Sequence, residues 1–278
     1  MSMPGWRSTA IWCGAMLIAI SSAGIALSAQ RMRMGSFFGA QAGLNGPRTI
    51  DGQFQFCRVA FRQAANGDGG NWSVDYPRAD ENLSTRLSEL TKTPISRNLA
   101  GEPNHVLVRL TDAELFQCPF IMMTEVGSMY VDEAEAAALR DYLIKGGFLW
   151  ADDFWGTYAW EFFEDQFRKV LPSGAFPIID VPLDHPLFHT VLNVKKIPQI
   201  PSINWINTGT TSERGVDSAI PHVRAINDEH GRMMVLITHN TDFGDSWERE
   251  GDNHEYFLRF SVDGYAFGIN ALVYAMTH

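Results

Sequence analysis

Short apolar runs alternate along this chain with segments in which apolar residues recur every three or four positions. This alternation predicts strands followed by helices, the pattern of α/β proteins. Two later runs flank the turn Asp228-Glu229-His230-Gly231, a spacing typical of an antiparallel hairpin. The runs that we interpret as strands are Phe54–Phe61, Val106–Leu110, Phe120–Thr124, Phe148–Ala151, Val223–Asn227 and Met233–Thr238. We therefore predict an α/β fold, a doubly wound and mostly parallel sheet with an antiparallel hairpin extension.

The segments that carry the helical period predict four helices. Asp80 or Asn82 is placed to cap the first, and Asp132-Glu133 opens the second. The last, about Tyr265–Met276, is apolar nearly all round and should be buried. The apolar stripes of the first three helices are Leu83, Leu87 and Leu90; Ala134, Ala138, Leu139 and Tyr142; and Phe163, Phe167, Val170 and Leu171. Residues 172–221 predict loops with short strands.

The N-terminus is typical of an export signal. Residues 10–27 contain no charge, follow Arg7, and lead into the small residues Ser28-Ala29. The same run is long enough to span a bilayer, so an uncleaved membrane anchor stays the alternative for residues 1–29. Residues 30–52 predict a flexible tether, and residues 53–278 a single α/β domain. Both alternatives predict an extracytoplasmic domain, either periplasmic or membrane-anchored and facing outward.

Charge and composition exclude some partners. The chain has 278 residues, 45% of them hydrophobic and 19% charged, as in a globular protein. Its formal net charge is -10, and it has no basic run. Nucleic acid is therefore not an expected partner, because affinity for phosphates comes from clustered Lys and Arg. We expect contact with a membrane only through the N-terminal segment.

Three cysteines are present, of which Cys13 lies in the leader. Cys57 and Cys118 lie in or beside predicted strands. Two cysteines in a domain of this size do not make a disulfide framework. We therefore expect two buried side chains that act as small hydrophobic residues.

Polar and acidic clusters follow four of the apolar runs. In a parallel sheet these clusters share the carboxyl edge, where open α/β sheets place their ligand crevice. We therefore predict a ligand-binding site there. Its candidate residues are Asp75, Tyr76, Arg78, Glu125, Asp152, Asp153, His239 and Asp242.

Several alternatives stay open for these residues. Asp152 and Asp153 suit metal ligation or general-base catalysis, but one Asp can instead cap the next segment while the other pairs with Arg78. In an extended backbone, at most one of the two faces the crevice. Arg78 can equally clamp a ligand carboxylate or phosphate, and Tyr76 can stack on a sugar or ring. The segment from His239 to Asp245 lacks the full ligand set of a calcium loop, so no metal site and no cofactor are assigned.

Five phrases occur together in this order: GNWSVDYPRADENL, LTDAELFQCPFIMMTEVG, YLIKGGFLWADDFWG, PLDHPLFH and AFGINALVYAMTH. In this combination the chain resembles the bacterial domain-of-unknown-function family DUF4159 over about residues 53–278. The resemblance implies a flavodoxin-like fold of the class I glutamine amidotransferase group. It also implies an exported or tethered protein whose partners are other envelope proteins or a small ligand.

The resemblance to this fold group raises the question whether the chain has glutaminase activity. A glutamine amidotransferase carries a nucleophilic Cys on the tight turn after a central strand, and a His after a later hairpin strand. The matching turn here follows FLWA and reads Asp152-Asp153-Phe154, with no Cys. His239 lies near the expected place of the His, but without the nucleophile we do not expect glutaminase chemistry.

Three functions stay open from the sequence. The first is a non-glutaminase ligand-binding or assembly component of the cell envelope. The alternative is a metal-assisted hydrolase that acts on an envelope saccharide or peptide. The third is a structural subunit of a surface or filament. The sequence does not decide whether the protein is an enzyme.

Overall fold

The computed structural model describes residues 50–278. The predicted signal peptide or anchor, and residues 30–49 of the predicted tether, lie outside the described residues. No helix within residues 50–278 is both long enough and apolar enough to cross a bilayer.

Seven strands form one sheet in the order β3-β1-β4-β6-β9-β8-β7. Strands β3, β1, β4, β6 and β9 run parallel, while β8 is antiparallel to β9, and β7 to β8. Two further strands, β2 and β5, form a small antiparallel sheet. The strands are β1 (Phe56–Val59), β2 (Arg62–Gln63), β3 (His105–Val108), β4 (Phe120–Thr124), β5 (Met129–Tyr130), β6 (Phe148–Asp152), β7 (Ile179–Asp180), β8 (His222–Asn227) and β9 (Met233–His239). The predicted α/β class, the mostly parallel sheet and the hairpin extension are confirmed.

Helices connect and cover these strands. They are α1 (Arg78–Leu90), α2 (Glu133–Ile144), α3 (Gly156–Val170), α4 (Trp205–Thr208), α5 (Phe243–Glu248), α6 (His254–Tyr256) and α7 (Val262–Thr277). A π-helical segment, Phe257–Ser261, joins α6 to α7. Short 3-10 turns occur at Ala113–Gln117, Val126–Ser128, Pro186–Phe188 and Gly215–Ser218.

The start of α2 follows the prediction and the start of α1 does not. Asp132 caps α2 by accepting from Glu135 N at 2.9 Å, while the Glu135 carboxylate accepts from Asp132 N at 3.0 Å. Helix α1 begins at Arg78, so neither Asp80 nor Asn82 caps it. Asp80 lies inside the first turn, where its carboxylate faces a buried arginine of β1 instead of the helix N-terminus.

Apolar side chains pack on both faces of the sheet, which is why the strands are nearly continuous in hydrophobic residues. Trp150 of β6 packs on one face with Leu83 of α1 and Phe267 of α7. Leu149 packs on the other face with Phe163 of α3. Burial of each large side chain stabilises the fold by roughly 1.5–3 kcal/mol. The two cores hold the strand ends in fixed register and so fix the loops at the carboxyl edge.

A disulfide joins Cys57 to Cys118. The expectation of two unpaired, buried cysteines is therefore wrong. Cys57 lies in β1 and Cys118 directly precedes β4, and these strands are neighbours in which Cys57 faces Ile121. The sequence separation of 61 between the two cysteines concealed this proximity in the sequence.

Candidate functional site

The backbone is left-handed at four non-glycine residues of the carboxyl edge. Glu125 follows β4 with φ 56°, Asp153 follows β6 with φ 55°, and Asn240 follows β9 with φ 62°. Asp75, in the loop between β1 and α1, also has φ 62°. Within residues 50–278 these are the non-glycine residues with positive φ. This conformation costs roughly 1–2 kcal/mol per residue, and such strain concentrates at functional sites.

Three aspartates meet at the centre of this edge. One carboxylate oxygen from each of Asp75, Asp242 and Asp245 lies within 4.8 Å of the other two. All three side chains are buried. Asp242 caps α5 by accepting from Asp245 N at 2.8 Å, and Asp245 accepts from Ile203 N at 2.6 Å. The Oδ2 atom of Asp75 is buried and accepts from no N–H or hydroxyl group; it can bond to the Asp245 side chain only through a proton on one of the two carboxyl groups.

Three more carboxyl groups surround this triad. Asp152 accepts from Thr238 Oγ1 and, at 2.9 Å, from Phe243 N. Asp153 accepts from Trp155 Nε1 at 2.9 Å. The extended backbone that we assumed at Asp153 is not found, because its φ is positive. Glu125 lies against the loop after β1, where a Cβ on Gly69 would approach Glu125 Oε2 within 2.1 Å.

Burial shifts the ionisation of the whole group. Burial raises the pKa of Asp152 to about 7, and also raises the pKa of Glu125 to about 7. Burial and the charges of Asp245 and Glu248 hold the pKa of Asp75 well above its usual range. The pKa values of Asp153 and Asp242 are raised well above the usual value for the same two reasons, burial and neighbouring carboxylates. The arrangement therefore favours a bound positive charge, whether a proton or a cation.

A buried arginine fixes the loop that carries Asp75. The guanidinium of Arg58, in β1, donates from Nε to both carboxylate oxygens of Asp80 at 3.0 Å. Its Nη1 donates to Trp72 O at 3.3 Å and Val74 O at 3.2 Å. Arg58 thus holds the residues directly before Asp75, a role that the sequence analysis missed.

Arg78 has a different position from the one considered in the sequence. Its guanidinium is more than half exposed and lies 3.6 Å from Asp252. The hydrogen bonds of Asp152 and Asp153 go instead to Thr238, Phe243 and Trp155. The capping alternative also differs, because the Asp152 carboxylate accepts from the first amide of α5.

Tyr76 and His239 make their contacts away from the three central aspartates. The Tyr76 hydroxyl is 2.7 Å from His105 Nε2. The His239 ring packs 4.8 Å from the ring of Phe154, and its Nε2 donates to Gly156 O at 3.0 Å. Burial lowers the pKa of His239 to about 4, so the ring is neutral at physiological pH.

The segment of residues 198–220, which we call the covering segment, encloses the carboxyl edge. Its Ile203 N bonds to Asp245, and its Arg214 forms an ion pair with Asp68 at 2.9 Å. Asp217 accepts from Thr157 N, at the start of α3, at 2.7 Å. By contrast, a cavity of about 600 Å³ lies at the opposite, amino-terminal edge, beside Cys118. An enclosed cluster of carboxylates suits a small cation better than a large organic substrate.

From the sequence, Asp245 was considered with His239 and Asp242 as a metal-type ligand, but only His239 and Asp242 were kept as candidate residues. The spacing i, i+3 contained the signal, because a helix that starts after Asp242 places Asp245 on the same face as its cap. That Asp75 lies beside Asp242 and Asp245 is visible only in the tertiary structure. The remaining candidate residues stay predictions as ligand-binding groups.

Comparison with protein families shows which family the chain belongs to. The family model described as Domain of unknown function (DUF4159) matches residues 55–276. This covers most of the chain, so the chain belongs to that family. No curated protein matches the chain.

Proposed function

We propose that this protein is an extracytoplasmic, non-glutaminase domain of the cell envelope that binds a small cationic ligand at the carboxyl edge of its sheet. The single observation that carries the proposal is the convergence of six carboxyl groups, five of them buried, from separate loops. Arg58 is engaged by Asp80, and Arg249 is shared among Asp245, Glu248 and Asp252. An added cation would balance the remaining negative charge.

The strand order supports a flavodoxin-like arrangement. Counted in chain order among themselves, the five parallel strands lie in the sequence 2-1-3-4-5. The order reverses between β1 and β4, and this switch point is where flavodoxin-like proteins bind their ligands. Asp75 and Glu125 lie in the loops that follow these two strands. We propose that the ligand site extends along the carboxyl edge from this switch point to the connection after β9, where Asp242 and Asp245 lie.

The disulfide supports the location outside the cytoplasm. Disulfides persist in oxidising compartments and are rare in the cytosol, where thiols are kept reduced. The uncharged segment of residues 10–27 supports the same location. The disulfide also argues against glutaminase chemistry, which needs a free thiol as the nucleophile. Cys57 and Cys118 are bonded to each other, and Cys13 belongs to the proposed leader.

Thermal unfolding of the purified full-length chain tests cation binding. The probes are Ca²⁺, Mg²⁺, Mn²⁺ and spermidine, each added after treatment with a chelator. At least one cation is expected to raise the unfolding temperature of the wild type, because binding to the native state alone stabilises it. Asp153→Asn should reduce this shift. Asp141→Asn, an exposed change on α2, should leave it intact. If no probe raises the unfolding temperature, the proposal is rejected.

A metal-assisted hydrolase of an envelope saccharide or peptide is the second candidate. It is favoured by Glu125, whose pKa of about 7 suits a general acid or base near neutral pH. Incubation of the protein with peptidoglycan fragments and divalent cations tests it. Cleavage by the wild type that is lost in Glu125→Gln would support this candidate, and no cleavage by the wild type would remove it.

A further inference from the structure

We propose that Asp75, Asp242 and Asp245 form a binding site for a divalent cation of the Ca²⁺ class. The inference rests on the proposed function, because it names the ligand of that same edge. It is narrower, however, since it assigns the ion to three of the six carboxyl groups. Asp152, Asp153 and Glu125 then act as surrounding charges and do not bind the ion directly.

The spacing of the three carboxylates fits this ion. Ca²⁺ binds carboxylate oxygens at about 2.3–2.6 Å, so two ligands on opposite sides of it lie roughly 5 Å apart. The oxygens of the triad lie within 4.8 Å of one another. Mg²⁺, with distances of about 2.0–2.1 Å, requires a tighter octahedron. This spacing accommodates Ca²⁺ without bringing closer together the two segments that carry the three carboxylates.

An unpartnered oxygen provides an independent argument for a ligand. Asp75 is 7% exposed, and no N–H or hydroxyl group donates to its Oδ2; a hydrogen bond with the Asp245 side chain requires a proton on one of the two carboxyl groups. A buried carboxylate oxygen without a partner costs roughly 1–3 kcal/mol or more, so such an atom in a folded protein calls for an explanation. A bound cation would satisfy this oxygen and would also offset its charge.

The Asp75 carboxylate lies against the first turn of α5, between the other two aspartates. A Cβ added to Gly244 would lie 2.2 Å from Asp75 Oδ2 and 3.4 Å from Asp242 Oδ1. The unpartnered oxygen therefore points at the short segment that carries both Asp242 and Asp245. The absence of a side chain at Gly244 leaves room for this approach.

The two arginines near the triad do not balance its negative charge. Arg249 Nε approaches Asp245 Oδ1 at 3.3 Å but also pairs with Glu248 at 2.8 Å. The charge of Arg58 lowers the pKa of Asp75, but its hydrogen bonds go to Asp80, Trp72 and Val74. A proton shared within the triad is the competing way to reduce the charge, and calorimetry separates the two.

Isothermal titration calorimetry on the chelator-treated full-length chain tests the site with Ca²⁺ and Mg²⁺ as probes. We expect one Ca²⁺ per chain, bound more tightly than Mg²⁺. Asp75→Asn should weaken Ca²⁺ binding by more than about tenfold, because it removes a charged ligand. Gly244→Ala should also weaken binding, although it keeps all three carboxylates. Asp141→Asn is the matched control and should bind as the wild type does.

A loss of Ca²⁺ binding must be distinguished from a loss of folding. Circular dichroism in chelator checks that each variant is folded, and Asp75→Asn should fold because it removes a buried charge. Absence of Ca²⁺ binding to folded wild-type protein would overturn the site, whereas the proposed function would survive if Mn²⁺ or spermidine still stabilises the chain. Ca²⁺ binding that is unchanged in Asp75→Asn but lost in Asp153→Asn would also overturn it, by moving the ion to the other carboxyl groups.

Discussion

If all were ionised, the carboxyl groups at the carboxyl edge would together carry more negative charge than the nearby cations balance. Asp152 is fully buried, and its carboxylate accepts from the Thr238 hydroxyl and from backbone amides that include Phe243 N. Glu125 lies mostly buried near Glu213, Asp68 and Arg214. Neutral hydrogen-bond donors stabilise a carboxylate less than a cation does. In the absence of a cation, these groups therefore retain protons to unusually high pH.

The first prediction is a pH dependence of stability. In the unfolded chain Asp and Glu titrate near about 4, whereas burial raises the pKa of Asp152 and of Glu125 to about 7 in the native state. Between these values the native state binds more protons than the unfolded state, so the free energy of unfolding falls as pH rises. The expected slope is on the order of 1 kcal/mol per pH unit for each group. Urea unfolding in chelator from about pH 5 to about pH 8 measures it.

A matched variant assigns part of this slope. Asp152→Asn removes one titrating carboxyl and keeps an oxygen that accepts hydrogen bonds, so stability should depend less steeply on pH. Stability that increases with pH across the window would contradict the prediction, because it would mean that these carboxyls are ionised in the native protein.

At the scale of elements, the unit formed by β1, the following loop and α1 positions Asp75. Arg58 in β1 binds Asp80 in α1 and two carbonyl groups of the loop between them. The covering segment similarly ties the β9–α5 connection to α3. The Arg58 contacts and the covering segment both join elements that are far apart in sequence, and each depends on a few polar contacts.

The second prediction concerns the buried ion pair. Asp80→Ala leaves the fully buried Arg58 without its counter-charge, which typically costs about 3–5 kcal/mol. Urea denaturation should show a loss of this size. Glu89→Ala is the control in the same helix. Its carboxylate is half exposed, so its pair with Arg86 should contribute less than about 1 kcal/mol. Equal losses in both variants would contradict a special role for Arg58.

The third prediction concerns the N-terminus of α3. Asp217 accepts from Thr157 N at 2.7 Å and from Thr157 Oγ1 at 2.6 Å, so it caps α3 from a distant segment. Asp217→Ala should lower the free energy of unfolding, because it removes this cap. Amide hydrogen exchange should become faster in the first turn of α3 and in the covering segment. Faster exchange in α3 alone would mean that Asp217 does not hold the covering segment.

Sequence patterns identified the elements whose signals are local. Strands β4 and β6 are short apolar runs between turns or charges, and α2 has a complete capping box. The start of α1 was misplaced because Asp80 looks like a cap but serves a tertiary ion pair. Five acidic residues of the edge were selected because they follow predicted strands. Asp245 was not, and the grouping of Asp75 with Asp242 depends on tertiary contacts that no local period encodes.

For the whole molecule, the disulfide and the two apolar cores determine stability together. The crosslink spans 61 residues and joins neighbouring strands of the central sheet. It thereby restricts the unfolded chain over much of the segment that contains α1 and Asp75. The chain-entropy account of disulfides assigns more stabilisation to longer loops.

The fourth prediction is the effect of removing this crosslink. The double variant Cys57→Ala/Cys118→Ala should lose about 4 kcal/mol of unfolding free energy, the value expected for a loop of this length. Urea unfolding compares it with the wild type in the presence and absence of a reductant. Reductant should destabilise the wild type and leave the variant unchanged. A variant as stable as the oxidised wild type would show that packing alone fixes β1 against β4.

The segments that carry the three central aspartates are synthesised far apart in time. Asp75 follows the first strand of the sheet, whereas Asp242 and Asp245 come after the last. The two cysteines both belong to the earlier half of the chain, so under the proposed export their bond can form before the later segments arrive. The three proposed ion ligands come together only after the final strand has been added. Under the proposed cation binding, Ca²⁺ would therefore stabilise only domains whose assembly has finished.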